Sequence, residues 1–235
     1  MAVERVAAAA AAGLHARLLD ELGTAIAEGR TPAGTVLRIE DLEARFGLSR
    51  TVVREAVRVL ESLGMVTSRR RVGLTVQPGR CWTVYDPKVI RWRLAGSGRA
   101  DQLRSLTALR AAVEPAAAAG AAAHIDAASA AELVDTAAQM ERTGRAGAVG
   151  ELLALDIAFH RAVLAHSGNE MFAALDGVVA AVLTAGGPGP QPPPARAFEL
   201  HTEVARAVRA GEPGAAEAAM RAVIAEATAG VGVTP

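Results

Sequence analysis

The stretch Arg45-Phe46-Gly47-Leu48-Ser49-Arg50-Thr51-Val52-Val53-Arg54-Glu55-Ala56 decides how the first third of the chain folds. Gly47-Leu48-Ser49 reads as a tight turn, and serine is a residue type that caps a helix N-terminus. The turn separates a short helix predicted over Glu40–Phe46 from a second one running from about Arg50 to Ser62. In that second helix Val53, Ala56, Val57 and Leu60 form one apolar stripe. Arg50, Arg54 and Arg58 recur at every fourth position on another face.

On the C-terminal side come Gly64, then Met65-Val66-Thr67, Arg69-Arg70-Arg71 and Gly73-Leu74-Thr75-Val76. Two β-prone segments around a basic turn predict a hairpin. On the N-terminal side a helix is predicted over residues 6–29, and Thr31-Pro32-Ala33-Gly34 breaks it. Two helices joined by a glycine turn and followed by a basic hairpin describe a winged helix-turn-helix. Its second helix can lie in the major groove of double-stranded DNA with its first side chains at base edges. Arg50, Thr51 and Arg54 are therefore assigned to bases. Arg45, Arg58 and the wing residues Arg69, Arg70, Arg71 and Gly73 are assigned mainly to the phosphate backbone. A solvated basic face would account for the helix arginines alone, but not for turn, cap and hairpin in register.

The whole-chain charge argues the other way at first. The 235 residues carry 25 Lys+Arg and 25 Asp+Glu, a net charge of zero. The total hides a split: residues 1–93 hold 15 basic and 10 acidic side chains, and residues 94–235 hold 10 and 15. Such asymmetry implies two domains with different partners. Lys88 is the sole lysine, an imbalance that fits an arginine surface suited to phosphate and guanine and fits a GC-rich coding bias equally. Hydrophobic residues at 51% and charged residues at 21% exclude disorder as the main state. Aromatics at 3% mean an aliphatic, alanine-rich core and a mostly helical chain. The single cysteine, Cys81, excludes a disulfide scaffold and a cysteine-rich zinc module. With no signal peptide and no apolar run of about 18 residues, the expectation is a soluble, cytoplasmic protein without a membrane partner.

The predicted fold class is mainly α, in three parts. Residues 1–78 form the winged helix-turn-helix. Residues 79–98 form a linker with a short helix opened by Asp86-Pro87, carrying Ile90, Trp92 and Leu94 and closed by Gly96-Ser97-Gly98. Trp82, Tyr85 and Trp92 suggest that this segment packs between domains. Residues 99–235 form an all-helical bundle of about six helices, at 101–124, 127–143, 148–167, 170–184, 195–210 and 213–229. Five of the eleven prolines fall at 188–194 and predict a stiff, exposed connection.

In the bundle, Asp156 and His160 lie four residues apart on one helix face, a spacing able to grip a divalent cation. A surface pair or a buried, hydrogen-bonded histidine fits that spacing as well. His201 is the other histidine placed to converge on them. Arg110 and Glu114 have the same spacing, so an inward Arg110 is satisfied either by Glu114 or by a ligand carboxylate; spacing favours the glutamate.

Taken together, the pattern resembles the GntR-type bacterial transcription regulators. Arg45–Ala56 is similar to their DNA-binding signature, with Val52 where proline is frequent. Leu109–Pro115, Asp156–His160, Ser167-Gly168-Asn169 and His201 through Met220 resemble the FCD ligand-binding domain of the FadR subgroup. The resemblance implies a homodimer whose sensor domain, in metal-binding members, holds a divalent cation with an aspartate and three histidines. Asp156, His160 and His201 match three of these, and Val223 falls at the fourth. Zinc, nickel or manganese would then sit in an incomplete ligand set open to water or an effector oxygen. Trp82–Trp92 together with Leu109–Pro115 looks most like sugar-acid repressors of the galactonate-operon type. In that group the arginine matching Arg110 is implicated in holding the effector carboxylate. The rival readings are a metal-dependent hydrolase or lyase built on Asp156, His160 and His201, and a non-specific DNA-packaging protein. The first leaves the winged helix unexplained, and the second would be basic throughout.

Overall fold

The computed structural model describes the backbone of residues 2–186 and 194–231 and the side chains of 13–185 and 194–228. The chain divides into two compact units, Met1–Arg99 and Ala100–Pro235. No described helix is long and apolar enough to cross a membrane.

The first unit contains α1 (Ala2–Ala27), β1 (Val36–Leu37), α2 (Ile39–Phe46), α3 (Arg50–Ser62), β2 (Val66–Arg69), β3 (Gly73–Val76) and α4 (Pro87–Ala95). Gly47 ends α2 in the left-handed conformation at φ 63°, which produces the predicted turn. Ser49 occupies the N-cap of α3 in extended conformation, yet its side chain makes no capping bond. Its carbonyl instead accepts from the Val53 amide at 3.1 Å. The apolar stripe of α3 is buried as its periodicity implied, and Val53, Ala56 and Leu60 join Leu18 and Met65 in the core.

The hairpin is part of a three-stranded antiparallel sheet of order β1-β3-β2. Val66 pairs with Val76 and Arg69 with Gly73, while Val36 pairs with Thr75. β1 is two residues long, too short for any periodicity to show in the sequence. The helix over Pro87–Ala95 packs on α1: Trp92 is buried, and its indole N–H donates to Asp20 Oδ1 at 2.9 Å. Arg91 pairs with the same oxygen at 2.5 Å. Trp92 and Trp82 both belong to the apolar cluster of this unit, whereas Tyr85 is exposed.

The second unit holds α5 (Arg99–His124), α6 (Ala127–Arg145), α7 (Val149–Ala165), α8 (Glu170–Ala173), α9 (Asp176–Gly186), α10 (Ala195–Ala210) and α11 (Pro213–Val231). Among the described residues seven helices stand where about six were expected, because the segment predicted over 170–184 is two helices. Asn169 caps the first, its side chain accepting from the Met171 amide at 2.9 Å. Leu175 then closes a tighter turn onto the Phe172 carbonyl, and α9 starts anew. Of the proline-rich connection at 188–194, all but Pro194 lies outside the described residues.

Small side chains set the packing of this unit. Ala117, Ala118 and Ala121 of α5 are fully buried in one cluster with Phe159, Val163, Leu164, Val204 and Met220. A Cβ on Gly120 would overlap the carbonyl oxygen of Ser167, so glycine is what lets α5 approach the chain leaving α7. The aliphatic, alanine-rich core read from composition is this close approach of helix backbones.

Candidate functional site

The exposed face of α3 carries Arg50, Thr51, Arg54 and Arg58. Arg50 reaches back to α2, with Nη2 at 3.1 Å from Glu40 Oε1 and Nε at 4.0 Å from Glu43 Oε1. Arg58 pairs with Glu55 at 2.5 Å. Arg45 pairs with Glu21 at 2.8 Å, and its guanidinium lies 5.0 Å from the centroid of the Phe46 ring. Exposed pairs of this kind contribute little and exchange readily for a phosphate or base. Arg54 has no ion-pair or hydrogen-bond partner among the described residues.

Arg69 ends β2 and Arg70 and Arg71 lie in the turn to β3, and all three are exposed. Arg71 takes φ 67°, the one non-glycine residue with positive φ among those described. Gly73, grouped with the DNA contacts from sequence, has a structural reason to be glycine: at φ 115° an added Cβ would meet the Leu37 carbonyl oxygen at 2.8 Å. Its bare backbone allows β1 to join the sheet. The wing is tied to α3 by Glu61, whose Oε1 accepts from the Ser68 amide at 2.8 Å. Nothing local to Glu61 signals that bond, since a glutamate at a helix end has many equivalent uses.

Three helices of the second unit build a buried polar cluster. α7 presents Asp156 and His160 one turn apart, α10 presents His201, and α5 presents Arg110 and Glu114. Asp156 Oδ1 lies 3.5 Å from His160 Nε2 and 3.3 Å from His201 Nε2. Donor atoms of these three residues all fall within 4.8 Å of one another. The two imidazoles are buried, with 1% and 9% of their side-chain surface exposed, against 25% for Asp156. Asp156 is thus the member of the cluster that solvent reaches.

The fourth and fifth groups satisfy each other. Arg110 Nε donates to Glu114 Oε1 at 2.5 Å and Nη2 to Oε2 at 3.4 Å. Glu114 Oε2 also lies 2.6 Å from His160 Nδ1, a charge contact without hydrogen-bond geometry. Arg110 Nη2 stands 3.4 Å from His160 Nε2, which accepts from it only when that nitrogen carries its lone pair. The internal pairing favoured from the spacing of Arg110 and Glu114 is therefore present. Sequence reading missed that Glu114 also meets His160, because residues on different helices converge only through tertiary packing.

The electrostatics follow from this geometry. Burial alone pushes the Glu114 carboxyl up, but the charges of His160 and Arg110 outweigh it and hold the group at about 2. Burial pushes Asp156 up as well, and its contacts with His160 and His201 bring it below the usual carboxylate range. For His160 burial lowers the value, yet Glu114 and Asp156 lift it to about 9. The metal-free cluster is a network of compensated charges.

The donor set fits a divalent metal on an observation of its own. His201 Nδ1 donates to the Ala197 carbonyl at 2.7 Å, which directs the lone pair of the neutral ring to Nε2. That Nε2 is buried, lacks a hydrogen-bond partner and faces the carboxylate of Asp156. A lone pair set against a carboxylate is repulsive, and either a proton or a metal cation between them relieves it. Two imidazoles and one carboxylate suit zinc, nickel or manganese. Val223 is buried in the apolar cluster and offers no donor.

A winged helix with outward arginines, in one chain with an all-helical second unit, is the architecture of a DNA-binding transcriptional regulator. Residues 14–76 match the bacterial regulatory proteins of the gntR family and residues 105–226 match the FCD domain, and the chain belongs to this family. The galactonate operon transcriptional repressor of Escherichia coli is 27% identical over 90% of this chain and 94% of its own length. The Escherichia coli regulator YieP is 34% identical over 99 residues, 42% of this chain and 43% of YieP. A probable D-xylose utilization operon repressor of Paenarthrobacter nicotinovorans is 46% identical over 52 residues, 22% of this chain and 23% of that protein. The matches to these last two span less than half of either relative. Among solved structures, Lar of Listeria monocytogenes has a TM-score of 0.59 at 17% identity, covering 92% of this chain and 95% of its own. McbR/YncC of Escherichia coli has a TM-score of 0.55 at 17% identity, covering 93% and 96%. Those two likenesses concern the fold alone. The family consists of regulators rather than enzymes, which sets aside the hydrolase or lyase reading of Asp156, His160 and His201.

Proposed function

We propose that this regulator is a homodimeric, cytoplasmic repressor of a sugar-acid catabolic operon, released from its operator by a small carboxylate bound in the second unit beside a divalent metal. The observation that carries the reading is the convergence of Asp156, His160 and His201 next to the buried Arg110. The name of the galactonate operon repressor, similar along nearly the whole chain, supports a sugar acid as the effector class. When bound, the metal supplies a Lewis-acid contact for an effector oxygen. Asp156, His160 and His201 hold it and leave coordination positions open. Arg110 has Nη1 without a hydrogen-bond partner among the described residues, and a guanidinium edge is suited to a carboxylate.

On DNA, Arg50, Thr51 and Arg54 read base edges in the major groove. Arg45, Arg58, Arg69, Arg70 and Arg71 hold phosphates, and Gly73 keeps the wing in the sheet. A two-fold dimer reads a roughly palindromic operator. The effector acts by binding one arrangement of the dimer better than the other, with a coupling of about 1–3 kcal/mol.

A thermal-shift panel of aldonates and other small carboxylates, with and without zinc, tests the sensor. A ligand that binds only the folded protein raises its stability, by about 2.7 kcal/mol at 100 times its Kd. The expected result is a sugar-acid shift that grows with zinc. Arg110→Lys keeps a positive charge for Glu114 but lacks the fork, and it should lose that shift. A panel with no sugar-acid response, or an Arg110→Lys protein that responds like wild type, contradicts the assignment.

A further inference from the structure

We propose that Glu114 is a positioning residue for the metal: it holds the His160 ring by its Nδ1 edge so that Nε2 faces Asp156 and His201. The proposal rests on the metal reading above. Glu114 is itself no candidate ligand, since it stands on the far edge of the His160 ring from the other donors. Oε2 lies 2.6 Å from His160 Nδ1, while His160 Nε2 is the atom 3.5 Å from Asp156 Oδ1.

Two features make this more than a chance contact. The Glu114 side chain is 1% exposed and comes from α5, whereas His160 comes from α7, so a carboxylate has been brought across the core to meet the ring. A buried carboxylate is costly unless paired, and Glu114 is paired twice, with Arg110 Nε at 2.5 Å and with His160. Arg110 holds Glu114 in place, and Glu114 in turn holds the imidazole. An outer carboxylate on a ligating histidine fixes ring orientation and raises its basicity as a ligand, and such groups typically change metal affinity 10–100-fold. His201 is fixed at the corresponding nitrogen by a hydrogen bond, Nδ1 donating to the Ala197 carbonyl at 2.7 Å, whereas His160 Nδ1 meets Glu114 through a charge contact. Each imidazole thus has an outer partner on its Nδ1 side and turns Nε2 toward Asp156.

The test is zinc affinity by competition with a chromogenic chelator, on the full-length wild type and on Glu114→Gln, with folding followed by circular dichroism. Glutamine keeps the size of the side chain and an acceptor oxygen but removes the charge. The expected result, measured above pH 9 where His160 has lost its proton in both proteins, is a wild type that binds zinc and a folded Glu114→Gln protein that binds it about tenfold more weakly. Its Co²⁺-loaded form should also show an altered visible absorption spectrum, a change that loss of stability alone does not cause. Equal zinc affinity and equal Co²⁺ spectra overturn the role of Glu114. A wild type that binds no zinc overturns the metal reading instead. If glutamine prevents folding, Glu114→Asp gives the answer, since it keeps the charge but withdraws the carboxylate from Nδ1. Weakened zinc binding then supports the role, and unchanged binding overturns it.

Discussion

Asp156→Ala should lower zinc affinity by more than about 100-fold, because it removes a ligand where a change in an outer partner alone costs 10–100-fold. Asp156 is the carboxylate that both Nε2 atoms face, at 3.5 and 3.3 Å. Without it two imidazoles remain, and among the described residues no other carboxylate joins their donor group. Equilibrium dialysis with metal analysis checks the result, and retained stoichiometric zinc contradicts it. The same experiment carries a pH dependence. His160 is held at about 9, so near neutrality a metal must displace a proton from it. Zinc affinity should therefore rise with pH up to about 9, by up to about tenfold per unit while one proton is released.

The metal-free protein should show the converse trend in stability. His160 is raised from 6.5 to about 9, so its contribution is complete below pH 6.5 and fades as pH climbs through 9. Glu114 is lowered from 4.5 to about 2, so its contribution is present above pH 4.5 and lost as pH falls through 2. Between pH 4.5 and 6.5 both are in force. Added zinc moves the favourable window upward.

Arg54→Ala should cost about 1–3 kcal/mol of operator binding, which is about 5- to 150-fold in affinity, and relax the base preference at one position of each half-site. Arg54 has no intramolecular partner among the described residues, unlike Arg45, Arg50 and Arg58, whose carboxylate partners must yield when DNA arrives. Its removal therefore leaves the fold of the first unit intact. Loss at the preferred base pair should exceed loss on scrambled DNA at the same salt. A uniform drop across all sequences would move Arg54 to the phosphate backbone, where the effect is instead a shallower salt dependence.

Much of the reading head was legible because its signals are local. Gly47 makes the turn, Val53, Ala56, Val57 and Leu60 share a face, and Arg69–Arg71 run from the end of β2 into the hairpin turn. The two-residue β1 was not, since Val36-Leu37 becomes a strand only by pairing with β3. Gly73 was read as a DNA contact, and the nearness of Leu37 to its backbone shows a further demand on it. In the bundle, the pairing of Arg110 with Glu114 and the shared face of Asp156 and His160 follow from helical spacing. What spacing could not show is that α5, α7 and α10 bring these residues to one place, or that Glu114 faces both Arg110 and His160. The break between α8 and α9 escapes for a related reason: residues 170–184 read as a single helix, and the tight turn at Leu175 depends on backbone geometry.

The central claim is that a ligand in the helical unit changes how the winged helix holds its operator. The direct measurement is fluorescence anisotropy of the full-length protein on a palindromic operator fragment at fixed salt, titrated with D-galactonate and related aldonates in the presence of zinc. The account predicts that one of these aldonates weakens operator binding about 5- to 150-fold, the range of a 1–3 kcal/mol coupling, and that Asp156→Ala loses the response while still binding DNA. Operator affinity that stays the same at saturating zinc and aldonate, or an Asp156→Ala protein that responds like wild type, would contradict it.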